Sequence, residues 1–467
     1  MSVRKWYSKS SVTPHLVAGA PLSIVIDSAP MSSRGPIAPE RALGVLSLTA
    51  LSVNTVIGAG IFALPGTVDQ LLGAAGPLAY LTAGFAVLLI ALCFAEAGSR
   101  FESSGGPYLY AVSAFGAFTG FAVAWMYLLA RLTALAAVSN TFSAYLGYLW
   151  PPMNQGAGRL IAITLMIGGL TATHLLGVRP GKVVNNIFTV GKLVPLMAFC
   201  AAGLLLLPVH AAPLKPMPAV HPLQQASLLL MFALGGFEAA SIPSAEVIRP
   251  KRNVPAALMS SVGLVVVLFL VIQIVAKAAL PGLGASETPL ASAARSFLGP
   301  AGGLMLTAAA VLSTAGTNHA NLFTGSRILY AMGRDGQLPA RLAWLHPLHG
   351  TPQISILTYA GVAWILAVSS AFAKLAALSA LARVLMYATT CLAVPVLRRR
   401  SESDRTFRLP GASLIAVLAL GVCAWLLSGS SANQLAAAAV ALFAGGLVYA
   451  VVRYRRRATP KVFAHSA

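Results

Sequence analysis

Four ionisable side chains, Arg131, Lys192, Glu238 and Arg383, fall inside stretches that are otherwise apolar. A charge at such a position costs at least ~2.5–3.5 kcal/mol if the stretch lies in a bilayer, so each needs a partner or a task. Two glycine pairs lie near them: Gly58 and Gly60 in Val56-Ile57-Gly58-Ala59-Gly60-Ile61-Phe62, and Gly235-Gly236 just before Glu238. Such pairs serve close helix packing, or they interrupt a helix and bare its backbone. N–H groups opening a second half-helix suit a carboxylate, and carbonyls ending a first half-helix suit an ammonium group. Backbone alone could then hold the zwitterionic head of an amino acid.

Elements that could carry these residues follow from composition. Of 467 residues, 57% are hydrophobic and only 9% are charged. A soluble chain carries about 25% charge, so an ordinary cytosolic enzyme and a secreted globular domain are both excluded. Helices of about 20 apolar residues cross a bilayer, and twelve stretches qualify: 42–72, 77–99, 107–149, 157–177, 182–208, 222–248, 254–280, 301–332, 352–373, 375–397, 411–428 and 432–452. They are numbered spans 1 to 12. Spans 3 and 8 exceed one crossing, an excess that tilt or an interfacial extension would absorb. The predicted fold class is an all-α polytopic membrane protein. Residues 1–40 read as a disordered cytoplasmic tail rich in Ser, Pro and Gly, and 453–467 as a basic cytoplasmic tail. Met31 is a candidate translation start; a peptide from 1–30 in native protein would exclude it.

Formal net charge is +21, which on one patch would suggest nucleic acid. Placed between the spans, 24 Lys and Arg fall on the side holding both termini, from Arg4 through Arg100, Arg179, Arg249, Arg341 and Arg398 to Lys461. Only five, Arg159, Lys215, Lys277, Arg295 and Lys374, fall opposite. That alternation is the positive-inside pattern, with both termini cytoplasmic in the cell (inner) membrane. Dispersed over seven segments, the charge excludes a nucleic-acid partner.

Cys93, Cys200, Cys391 and Cys423 all lie within spans, so no disulfide framework is expected. No metal-ligand spacing joins Cys and His, and no cofactor is expected. His174 lies near the end of span 4, and His319 stands alone in span 8. A membrane-embedded enzyme would need a nucleophile–base pair or metal cluster at that depth. No G-x-x-x-x-G-K-[ST] motif is present, so ATP is not the direct energy source.

The glycine pairs are five spans apart, and five is odd, so two repeats of opposite topology would place corresponding breaks at the bilayer midplane. Gly58-Ala59-Gly60-Ile61-Phe62 resembles the G-x-G-[IV]-F signature of the amino acid–polyamine–organocation (APC) superfamily. Gly236-Phe237-Glu238 with Glu246 and Arg249-Pro250-Lys251-Arg252-Asn253 resembles that family's sixth helix and the loop after it. Arg100-Phe101-Glu102 with Ser104-Gly105-Gly106-Pro107-Tyr108, and Arg327 with Tyr330-Ala331-Met332 and Arg334-Asp335-Gly336, resemble two further loops.

The resemblance implies five-helix repeats at 41–208 and 222–397, inverted relative to each other, then two terminal helices at 411–452. Helices 1 and 6 would break at Gly58, Gly60, Gly235 and Gly236. It implies that a substrate carboxylate meets the N–H groups of Ala59 and Gly60. The amino group would meet carbonyls near Ile57 and Gly235, and Phe232 would cap the pocket. Lys192, about ten residues or roughly 15 Å into span 5, stands where sodium-driven relatives bind their ion. Proton coupling is therefore expected, the alternative being a charged strut. Glu238 matches a position beside the substrate. Arg131 either lines the pathway or neutralises a carboxylate. Arg383, some eight residues from the outer face, is expected to snorkel. Glu96, Glu246 and Asp335 are expected to be topology anchors or inner-gate pairs.

The function expected is secondary active transport of an amino acid by alternating access, proton-coupled. A neutral amino acid is favoured because Gly235, Phe232 and Ala59 suggest walls without fixed charge save Glu238. A cationic amino acid or polyamine, drawn by that Glu, is the alternative, as is amino acid exchange. A non-transporting sensor on the same fold is the reading from a different class. No disulfide-linked protein partner is expected, since 150–156 contains no Cys.

Overall fold

The structure, a computed structural model, describes residues 44–101, 105–177, 182–208, 218–241, 247–400, 407 and 409–458. Of these, the side chains at 182–187, 239 and 455–458 are not described. Expectations for the 1–40 tail and for Glu102, Ser104, Arg179, Lys215, Glu246 and Lys461 fall outside the described residues.

Apolar stretches in lipid must satisfy their own backbone, and the helix does so within one segment. Helices accordingly fall on every predicted stretch. They are α1 Val45–Val56, α2 Gly60–Leu72, α3 Gly76–Gly98, α4 Gly106–Phe115, α5 Ala117–Leu149, α6 Gly156–Leu175 and α7 Lys182–Leu206. After these come α8 Val220–Leu234, α9 Pro250–Ala279, α10 Pro289–Arg334, α11 Gln353–Ser369, α12 Phe372–Arg400, α13 Ala412–Ser428 and α14 Ala432–Ala458. No strand occurs among the described residues. Among the described residues, eight helical segments are long and apolar enough to span a membrane. Two of the four shorter apolar helices, α1 and α8, each lead directly into an interruption. The outward faces are apolar: Leu165, Leu205, Val440 and Phe443 are at least two-thirds exposed. Such surface would drive aggregation in water and suits hydrocarbon. The chain is a polytopic membrane protein.

Two expectations need correction. Span 3 is not one continuous helix: it breaks at Gly116, whose φ of +91° separates α4 from the 33-residue α5. Span 8 begins earlier, at Pro289, and kinks at Gly299 (φ +69°) before Pro300. In both cases a glycine in an apolar run adopts a backbone that an L side chain disfavours. At the far end α14 continues to Ala458, so Arg453 lies within the helix instead of opening a tail.

Among these elements α5 has the central position. It packs extensively on α10 and α12, while α3 packs on α9, and α2 and α12 both pack on α8. α1 and α2 are thereby set against α8 and the turn that follows it.

Candidate functional site: a cavity where two interrupted helices meet

α1 leaves helical geometry at Ile57 (φ −73°, ψ 84°), and α2 starts after Ala59. α8 stops at Leu234; Gly235 is extended (φ −72°, ψ 147°), and Gly236 takes φ +118° before a 3-10 turn at Phe237–Ser241. Only glycine accepts the Gly236 conformation without strain. The glycines also serve close packing. A Cβ on Gly60 would lie 2.7 Å from the Ala233 Cα, and one on Gly235 would lie 2.6 Å from Arg383 Nη1. Interruption and packing are therefore one feature here. Ser52 Oγ closes the junction by donating to the Phe237 carbonyl at 3.1 Å.

A cavity of about 120 Å³ opens where the breaks meet. Ala59, Gly60, Phe232 and Gly235 lie on its wall, with Arg131, Lys192 and Arg383. The first turn of α2 leaves N–H groups without intrahelical acceptors, and the last turn of α8 leaves carbonyls without donors. Asn54, also on the wall, has a buried side-chain oxygen with no donor. Phe232 is buried and meets Phe372 edge-on, ring centroids 5.8 Å apart.

Each buried charge has distinct partners. Lys192 Nζ donates to the carbonyls of Asn54 at 2.6 Å and Ile57 at 2.7 Å. It thus caps the end of α1, where the helix dipole is negative. The Ile57 carbonyl expected to meet a substrate ammonium is consequently shared with Lys192, and Ser313 Oγ approaches it at 3.5 Å. Glu238 is fully buried and absent from the cavity wall. Its Oε2 accepts from the Gly236 N–H and the Tyr387 hydroxyl, both at 2.9 Å, and its Oε1 accepts from Arg383 Nη1 at 3.2 Å. Arg131 Nη2 donates to the Tyr127 hydroxyl at 2.6 Å, and Nη1 to Asn321 Oδ1 at 3.2 Å.

Three expectations change. Arg383 does not snorkel: it is 4% exposed, paired with Glu238 and set on the cavity wall. The gap that Gly235 leaves lets the guanidinium lie against backbone. His319 does not stand alone; its ring stacks on His174 at 4.4 Å, and it too reaches the wall. The walls are not free of fixed charge either, because three cationic side chains line them. That removes the premise for favouring a neutral substrate. With Glu238 engaged by Arg383, the premise for a cationic one is removed as well.

Elsewhere Glu96 behaves as an anchor. It is fully buried, pairs with Arg100 at 3.0 Å and Arg398 at 3.5 Å, and accepts the Leu409 N–H at 3.2 Å. Asp335 pairs with Arg334 at the surface. No group of three or more His, Cys, Asp or Glu that could hold a metal ion occurs among the described residues. Sequence reasoning missed the α10 wall of Ser313, Thr317 and Asn321. Their spacing of four marks one helix face, and that polar stripe in an apolar helix was a readable signal. Tyr387, one turn from Arg383 on α12, was missed as well.

The chain is similar in sequence to known proteins over most of its length. A family profile described as amino acid permease matches residues 43–452. The methylthioribose transporter of Bacillus subtilis is 28% identical over 411 residues, covering 83% of this chain and 88% of that protein. The branched-chain amino acid permease BcaP of the same organism is 28% identical over 412 residues, with the same shares. The human large neutral amino acids transporter small subunit 2 is 31% identical over 344 residues, 70% of this chain and 64% of the relative.

Proposed function

This chain belongs to the amino acid permease family, and on that premise we propose that it is a secondary active transporter moving an amino acid across the cell membrane by alternating access. One observation carries the proposal: two helix interruptions, Ile57–Ala59 and Gly235–Gly236, meet at a single buried cavity. Free N–H groups at the first turn of α2 suit the substrate carboxylate. Carbonyls ending α8, with the Asn54 side-chain oxygen, suit its ammonium. This cradle recognises the head group common to all amino acids, neutral ones included, and leaves side-chain selection to the walls.

The architecture proposed with it is twelve spans: inverted five-helix repeats at 41–208 and 222–397, then helices at 411–428 and 432–452. Both termini face the cytoplasm at the inner membrane, a reading supported by the 24-to-5 split of basic residues. Alternating access would then be motion of one repeat's elements about the junction at Gly60, Ala233 and Gly236. Lys192 is the proposed coupling site. Its ammonium is held by the backbone carbonyls of Asn54 and Ile57 at the end of α1, so a change in its protonation would loosen the end of the interrupted helix.

Purified protein in proteoliposomes, assayed by counterflow with radiolabelled amino acids, tests the proposal. Saturable uptake of at least one amino acid above empty liposomes is expected. Uptake of none of the twenty would end the reading.

A further inference from the structure

The cavity wall carries Arg131 from α5, Lys192 from α7 and Arg383 from α12, and no Asp or Glu. Two of these cations are provided for within the protein. Lys192 sits in the negative end of α1, and Arg383 faces the Glu238 carboxylate. Arg131 is different. It is 5% exposed, and its hydrogen-bond partners, Tyr127 and Asn321, are both uncharged. Its Nε is buried without an acceptor, and no ion pair among the described residues includes it. A guanidinium has five N–H donors in a planar fork matched to a carboxylate. The one carboxylate near enough to act on it, Glu238, is already paired with Arg383, and a buried charge with only a share of a countercharge is disfavoured unless a ligand supplies another.

An ordinary zwitterion does not supply it. Its carboxylate and ammonium are matched by the two helix breaks, and its net charge is zero, so Arg131 and Arg383 still share the single Glu238 carboxylate. A second carboxylate corrects the balance. The volume, about 120 Å³, sets a limit on length; an apolar cavity of ~150 Å³ is filled by benzene, so the substrate is small. Resting on the amino acid transport reading above, we propose that this cavity takes a small acidic amino acid of the aspartate or glutamate type, its side-chain carboxylate held by Arg131.

The test compares acids with their neutral amides, which match them in shape. Full-length protein in proteoliposomes is assayed with radiolabelled aspartate, glutamate, asparagine, glutamine, alanine and leucine, with chloride present and with chloride replaced by gluconate. At least one acid is expected to be taken up with a tenfold or greater advantage in uptake efficiency over its amide, independent of chloride. Arg131→Gln is expected to erase that advantage, and Arg131→Lys, which keeps a charge without the fork, to retain part of it. Size-exclusion profiles and melting curves identify any variant that fails to fold; the wild-type preference among the six substrates decides the question without variants. Equal or better uptake of the amides or of alanine and leucine overturns the proposal while amino acid transport stands. So does neutral uptake that requires chloride, since an inorganic ion would then supply the charge. No uptake of any amino acid overturns the transport reading itself, and this proposal with it.

Discussion

Breaking the Glu238–Arg383 pair should cost more than losing both of its members. At 3.2 Å, with side-chain exposures of 0% and 5%, the pair has an attraction of about 5 kcal/mol at an effective dielectric of ~20. Removing one partner strands the other charge at that depth, which costs about 3–5 kcal/mol. Glu238→Gln preserves shape and can still bond Tyr387 and the Gly236 backbone, so its loss reports mainly the stranded Arg383. Arg383→Met strands Glu238. The double variant strands neither and should recover to within about 1–2 kcal/mol of wild type, because a buried pair often only breaks even against a neutral replacement. The assay is the folded fraction after graded heating in detergent, followed by size exclusion, for all four members of the double-mutant cycle. Both single variants should melt lowest, with the double variant above each. A double variant less stable than either single one, or singles within 1 kcal/mol of wild type with additive effects, would refute the reasoning. Uptake is not the readout here, since Arg383 also lines the cavity.

Further outcomes follow from the same geometry. Lys192→Met should abolish accumulation driven by an imposed proton gradient in proteoliposomes while leaving counterflow measurable; gradient-driven accumulation equal to wild type would remove Lys192 from coupling. Gly60→Ala should reduce uptake at least tenfold, because the new Cβ would meet the Ala233 backbone. Its control, Gly263→Ala, points into open space within α9 and should transport normally and melt no lower than wild type; equal uptake by the two variants would show that close packing at the junction is not needed. Tyr387→Phe removes a hydrogen bond to a buried carboxylate and should destabilise by about 1.5–3 kcal/mol, measured by the same melting assay; no change would mean that the Gly236 N–H and Arg383 suffice for Glu238.

Much of this molecule was readable before its structure. The all-helical, apolar character was legible because hydrocarbon imposes one rule on every segment, and that rule acts on composition. Both interruptions were legible because Gly58 and Gly60, like Gly235 and Gly236, are paired within otherwise apolar runs. Gly116 and Gly299 were not, since a single glycine in an apolar run suits a packing contact as well as a break. The four buried charges could be located but not paired. Glu238 and Arg383 are 145 residues apart, and which face of α12 turns inward depends on neighbours that apolar composition does not specify. His319 seemed isolated for the same reason, its partner His174 lying on another helix. Walls were misjudged because the backbone residues of the breaks were read without the α5, α10 and α12 side chains opposite them. The Ser313, Thr317 and Asn321 stripe held part of that information.

The central claim is that the two interruptions form the substrate's head-group site. Its most direct test is an experimental structure of the protein with a transported amino acid bound. The α-carboxylate is predicted within about 2.7–3.2 Å of the Ala59 or Gly60 N–H, with the ammonium turned toward the α8 carbonyls and Asn54. A ligand bound elsewhere, with the cavity between Gly60 and Gly235 empty, would contradict the account.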